Sequence, residues 1–159
     1  MSSGYQNNIS IKEAIDHIDR QEYLLPSIQR KFVWSASQIE TLFDSIMRGY
    51  PINSFMFWHI QDPDIKKNFK FYKFLSAYRE FFQVNNPDFD AIGCPDFFAV
   101  IDGQQRLTSL YLGLKGTYAY KMPRKWWTNN EDALPTRRLY LNLNSGLSND
   151  SDNDLDLAY

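Results

Sequence analysis

The hydrophobic period of this chain changes once between Phe97 and Leu114, and that change limits the folds open to it. Phe97-Phe98-Ala99-Val100-Ile101 is an unbroken run of aromatic, small and β-branched side chains, the composition of a buried strand. From Leu107 onward the apolar residues Leu107, Leu110, Tyr111 and Leu114 fall on one face of a helix. Between the two lies a polar pentapeptide, Asp102-Gly103-Gln104-Gln105-Arg106. Asp102 is spaced to act as the helix N-cap, with Gln105 three residues later completing a variant capping box.

Two readings of the pentapeptide stand side by side. In the first it is a cap, a turn glycine and three solvated polar residues. In the second it is an anion site. A helix N-terminus offers unpaired N–H groups and a partial positive charge, and both suit a phosphate. Gly103 lets a ligand approach the backbone, Arg106 can fork onto phosphate oxygens, and Gln104 and Gln105 can orient a ligand or a water. Asp102, if free of capping, can hold Mg²⁺ partly through water or orient a nucleophile.

With 159 residues, 43% of them hydrophobic and 16% aromatic, the chain can fill the core of one domain. No stretch approaches the ~20 consecutive apolar residues that span a bilayer, and Met1-Ser2-Ser3-Gly4 has neither the charged nor the apolar region of a signal peptide. Cys94 is the single cysteine, which excludes an internal disulfide and fits a reducing compartment, so the chain reads as cytoplasmic. The net charge of −2 is uneven: without Asp150, Asp152, Asp154 and Asp156 the balance becomes +2. Global charge thus points neither toward nor away from a nucleic-acid partner.

Capping boxes at Ser10/Glu13 and Ser35/Gln38 open two helices. The first covers Ile11 to Asp19; the second carries Ile39, Leu42, Phe43 and Ile46 and is closed by Arg48, Gly49 and Pro51. Tyr23-Leu24-Leu25 reads as a short strand ended by Pro26, and Pro26 to Trp34 as a structured loop. Phe55 to Ile60 reads as a strand and Asp62-Pro63-Asp64 as a turn. Ile65 to about Val84 is expected to be one long helix, burying Phe71, Phe74, Leu75, Tyr78, Phe81 and Phe82 and placing Lys66, Lys70 and Lys73 on another face. Asn85 to Asp88 stops it, and a loop leads to Asp96. Thr117 to Tyr120 is expected to be a strand, Lys121 to Pro135 a loop, and Arg137 to Leu143 a half-exposed strand. The acidic end, 144–159, is expected to be poorly ordered. A single α+β domain over 1–143 follows, with short strands packed against helices.

Other candidate chemistry is thin. There is no Walker-type loop and no Gly-x-Gly-x-x-Gly. His17 and His59 have no second histidine at ligand spacing, and Cys94 lies far along the chain from both, which argues against zinc or cysteine catalysis. The Lys66/Lys70/Lys73 face could track a phosphate backbone or be a solvated helix face. Arg124-Lys125-Trp126-Trp127 could stack exposed bases, or its tryptophans could pack against the core or another domain.

Ile101 to Leu110 resembles the DGQQR motif of the GmrSD-type restriction endonuclease N-terminal domain family. Leu25-Pro26-Ser27-Ile28-Gln29-Arg30-Lys31-Phe32-Val33-Trp34 is similar to that family's first motif, and Gln38 through Ile52 to the helix and turn that join the two. The resemblance covers about Ile9 to Leu114. It implies a ParB/sulfiredoxin-like compact α+β domain whose relatives bind nucleoside triphosphates. By that resemblance Asp102, Gly103, Gln104, Gln105 and Arg106 form a nucleotide site with Gln29 and Arg30 as its second wall. Asp102, Gln104, Gln105 and Arg106 would be catalytic, with Mg²⁺ near Asp102.

The resemblance also implies a role in bacterial defence against phage DNA, especially modified DNA, in which nucleotide hydrolysis by this domain accompanies cleavage by a separate nuclease domain. Such proteins usually continue into a helical region and often a His-Asn-His nuclease. The chain is therefore expected to be an N-terminal fragment, or a short member relying on a partner, that meets DNA through the full-length protein and has no nuclease activity of its own. The leading expectation is a Mg²⁺-dependent NTPase domain without membrane partners. The competing one is a non-catalytic DNA-binding or adaptor domain of the same superfamily, and a third is a folded but inactive domain whose site is completed elsewhere.

Overall fold

The computed structural model describes residues 8–80 and 85–142. In chain order these form α1 (Ile11–Asp19), β1 (Tyr23–Pro26), α2 (Ala36–Met47), β2 (Met56–Ile60), α3 (Pro63–Asn68), β3 (Phe71–Tyr72), β4 (Ala77–Arg79), β5 (Asp88–Phe89), β6 (Phe97–Asp102), α4 (Gln104–Lys115), β7 (Thr117–Ala119) and β8 (Thr136–Arg137). The result is a compact α+β domain. One sheet has the order β2-β6-β1-β3-β5, and a smaller one the order β4-β7-β8. β6 runs parallel to β1 and antiparallel to β2, while β3 pairs antiparallel with both β1 and β5.

Both predicted capping boxes form. Ser10 and Ser35 each accept from the backbone of the residue three positions on, while Glu13 and Gln38 reach back to the cap N–H. Gly49 follows α2 at φ +75°. β6 is covered on both faces, which accounts for its unbroken apolar run. Phe97 and Ala99 join a cluster with Leu24, Ile60 and Phe71 on one side; Val100 joins Ile15, Ile18, Leu42, Leu107 and Leu110 on the other. A third cluster, of Phe32, Ile39, Leu75, Tyr78, Leu112 and Tyr118, fills the space beside the smaller sheet.

The long helix expected from Ile65 does not form. Asp62 is the N-cap of α3 and Pro63 sits in its first turn, so the expected turn is instead a helix start; the helix ends at Asn68, and Phe69 is extended (φ −110°, ψ 145°). The aromatic residues that mimic a helical stripe serve three separate cores. Phe71 packs edge-on against Phe97 at 4.9 Å between ring centroids, Phe74 joins the α1/α4 cluster, and Leu75 and Tyr78 join the cluster around Phe32. Pairing of Phe71–Tyr72 with two strands outweighs a spacing that matched helix by coincidence. Phe81, Phe82 and Val84 lie outside the described residues. The shared lysine face disappears with the helix: Lys66 is buried, donating to the Cys94 carbonyl at 3.1 Å and to Asp96 at 2.9 Å.

Three smaller corrections follow the same logic of tertiary pairing. The segment after Asn85 contains β5 rather than loop alone. The strand expected over Arg137 to Leu143 is reduced to Thr136–Arg137, because β7 has only Ala119 and Tyr118 to pair with it; Leu143 and 144–159 fall outside the described residues. On α4, Leu114 is 52% exposed while Leu112 is buried, since the smaller sheet covers the side of the helix opposite α1.

Candidate functional site

Because β1 and β6 are parallel neighbours, with Tyr23 opposite Phe98 and Leu24 opposite Ala99, they leave the sheet at the same end. Pro26 leads into the loop toward Trp34, and Asp102 leads into α4. The crevice beyond the carboxyl ends of such strands is where α/β sheets commonly hold ligands.

Asp102 is not the N-cap. It is the last residue of β6, pairs with Met56, and leaves 70% of its side chain exposed. The cap is Gly103, at φ +85° with no side-chain hydrogen bond, because a left-handed residue is needed to turn the chain from strand into helix. A Cβ at Gly103 would run into the Phe55 ring. Gly103 is buried, and its carbonyl accepts from the Leu107 N–H at 2.9 Å as the helix begins, which leaves the earlier N–H groups of α4 without helical partners.

The polar side chains of the pentapeptide turn inward to protein partners. Gln104 donates through Nε2 to the Arg30 carbonyl at 2.7 Å. Gln105 donates to the Lys31 carbonyl at 3.0 Å and accepts from Val33 N–H at 3.0 Å. From the other side Gln29 donates to the Ile101 carbonyl at 2.8 Å. The loop between β1 and α2 is thus held by side-chain amides where a neighbouring strand would otherwise pair with it. Phe32, buried edge-on against Tyr78, pins its centre. Arg106 faces a different loop. Its guanidinium donates to the carbonyls of Ile52 and Ser54, lies 4.8 Å over the Phe55 ring and is 3.5 Å from Asp102.

These contacts leave Arg30 and Lys31 exposed on the wall of a cavity of about 540 Å³. Gln29 and Gln104 also line it, as do Leu25, Pro26, Tyr72 and Asp88. Among the described residues no hydrogen bond or ion pair engages either the Arg30 or the Lys31 side chain. Of the residues expected from sequence, the fold brings Gln29, Arg30 and Gln104 to this cavity; Gln105 stands behind its wall, and Asp102 and Arg106 lie to the side. Lys31, Tyr72 and Asp88 were not expected there. Lys31 could have been found from its place beside Arg30, whereas Tyr72 and Asp88 meet only through the β1-β3-β5 order.

A larger cavity, of about 700 Å³, lies across α4 and is walled by apolar groups such as Ile39, Leu112 and Leu139. Its charged groups are Glu40, Arg137 and the exposed Arg138. Arg137 stacks 3.6 Å from the centre of the Tyr120 ring and reaches the Met122 sulfur, and burial pushes the Glu40 carboxyl above its ordinary range despite Arg137 nearby. One of its two arginines is thus stacked on a ring and a carboxyl shares the wall, whereas Arg30 and Lys31 stand side by side on the smaller cavity.

The other sequence candidates take surface or loop roles. Trp126 is 88% exposed, Trp127 lies under the Lys121 ammonium at 5.5 Å, and Lys125 pairs with Asp132 at 2.8 Å, so neither tryptophan enters the three clusters. Cys94 donates to the Asp90 carbonyl at 3.2 Å. Among the described residues there is no group of three or more His, Cys, Asp or Glu placed to share a metal ion, and no helix is long and apolar enough to cross a membrane.

Fold and site together describe an α+β domain in which a glycine-capped helix and a clamped basic loop meet at the end of a parallel strand pair. A family model described as GmrSD restriction endonuclease, N-terminal domain, matches residues 11–157, and the chain belongs to that family of restriction-system domains. A search of curated proteins found no match.

Proposed function

We propose that this domain binds a nucleoside triphosphate in the cavity beside α4 and hydrolyses it as part of a restriction system directed against phage DNA. The observation that carries the reading is the convergence of Arg30 and Lys31, two cations unpaired among the described residues, on a concavity at a helix N-terminus. Arginine supplies a planar fork and lysine a compact charge, and the helix dipole adds to both. Neutralising the phosphate oxygens in this way is the main catalytic need of phosphoryl transfer.

Magnesium in nucleotide sites needs only one or two protein carboxylates beside the phosphates; Asp88 in the cavity wall would furnish one, whereas Asp102 is exposed to the side of the cavity. So bound, the ion would offset charge on the phosphate oxygens. Arg106 contributes by holding the Ile52–Phe55 wall. DNA would be engaged and cut through further domains or a partner chain. The adaptor reading draws on the exposed Trp126 beside Arg124 and Lys125; DNA binding of that kind would weaken steeply with added salt.

Titration calorimetry with ATP, GTP, CTP and UTP in the presence of Mg²⁺ tests the proposal. Saturable binding is expected for at least one nucleotide. Arg30→Ala and Lys31→Ala are each expected to remove a charge-assisted contact of about 1.5–3 kcal/mol. Undiminished affinity in both variants would refute the assignment.

A further inference from the structure

We propose that Gln105, with Gln104 beside it, is a positioning residue: it fixes the backbone that carries Arg30 and Lys31 so that both cations face the cavity. This rests on the nucleotide reading above and assigns a different task to the two amides from the ligand contact their sequence suggests. Gln105 is 7% exposed and is not part of the cavity wall. Its carboxamide pairs on both sides, with the Lys31 carbonyl and the Val33 N–H, reproducing the two bonds a neighbouring strand would make. Gln104 does the same for the Arg30 carbonyl through one bond.

The loop has no strand partner of its own at Arg30–Val33, and two exposed, like-charged side chains in succession repel each other. Without the amides, Phe32 alone would hold its centre, and the two flanking residues could turn into solvent. Binding then weakens in proportion to the fraction of molecules with the loop in place, so a competent population of about one in ten weakens affinity about tenfold.

The test uses inorganic tripolyphosphate with Mg²⁺, which reads the phosphate end alone. Four chains are titrated: the wild type, Gln105→Met, Arg30→Ala/Lys31→Ala, and the triple variant carrying all three substitutions. Gln105→Met is expected to bind about tenfold more weakly, and the triple variant no more weakly than Arg30→Ala/Lys31→Ala, because the glutamine acts only through those two cations. Losses that multiply would show that Gln105 meets the ligand itself and would overturn the positioning role while leaving the nucleotide reading intact. A wild-type chain that fails to bind overturns the nucleotide reading, and the positioning role with it. Gln105→Glu is the second variant should Gln105→Met not fold: its carboxylate still accepts from Val33 but cannot donate to Lys31. Amide exchange without ligand should therefore show Val33 protected in Gln105→Glu and in the wild type; a Val33 amide equally unprotected in the wild type would refute the clamp.

Discussion

Gly103 and Arg106 illustrate how much of this domain rests on single side chains. Gly103 combines a left-handed backbone with contact against the Phe55 ring, so Gly103→Ala is expected to destabilise the fold by about 1–3 kcal/mol, measured by urea unfolding. Only 18% of the Arg106 side chain is exposed, and its donors serve the Ile52 and Ser54 carbonyls. Arg106→Ala is expected to lower stability by about 1–3 kcal/mol through those unsatisfied carbonyls, seen in the same unfolding experiment. A variant of unchanged stability but lost nucleotide binding would instead place Arg106 on the ligand. The residue types of the motif were legible as polar groups at a helix start, but their partners were not. An amide that clamps a loop some seventy residues away has the same local sequence as one that meets a phosphate.

At the scale of elements, α1 and α4 are tied where Tyr111 donates to Asp19 at 2.9 Å and Lys115 pairs with the same carboxylate at 3.2 Å. Burial first, and then the hydrogen bond to Asp19, push the Tyr111 phenol from 10.0 up to about 12. A raised folded value means that the neutral phenol's contribution is complete below pH 10 and is lost as pH rises toward 12. Absorbance titration of the tyrosines should find one ionising near that upper value, and Asp19→Asn should bring it down; an unmoved titration would sever the tie. Helices opened by a capping box were readable because their signals are local, as at Ser10 and Ser35. The segment from Ile65 was not. Phe71, Phe74, Leu75 and Tyr78 repeat at helical spacing, yet which core each one enters is set by β1, β5 and β7, far along the chain.

For the whole molecule, the proposed phosphate-binding wall lies where the β1-β3-β5 edge and the start of α4 enclose a cavity. The α+β class and the family could be read from two ordered motifs. The cavity's far wall could not, because Tyr72 and Asp88 become neighbours only through sheet pairing. The most direct measurement is a map of ¹⁵N amide shifts as the chain is titrated separately with ATP, GTP, CTP and UTP in the presence of Mg²⁺. The largest shifts are expected at Ser27, Arg30, Lys31 and the first turn of α4. Shifts confined to Tyr118, Tyr120 and Arg137 around the larger cavity, or none with any of the four nucleotides, would contradict that placement.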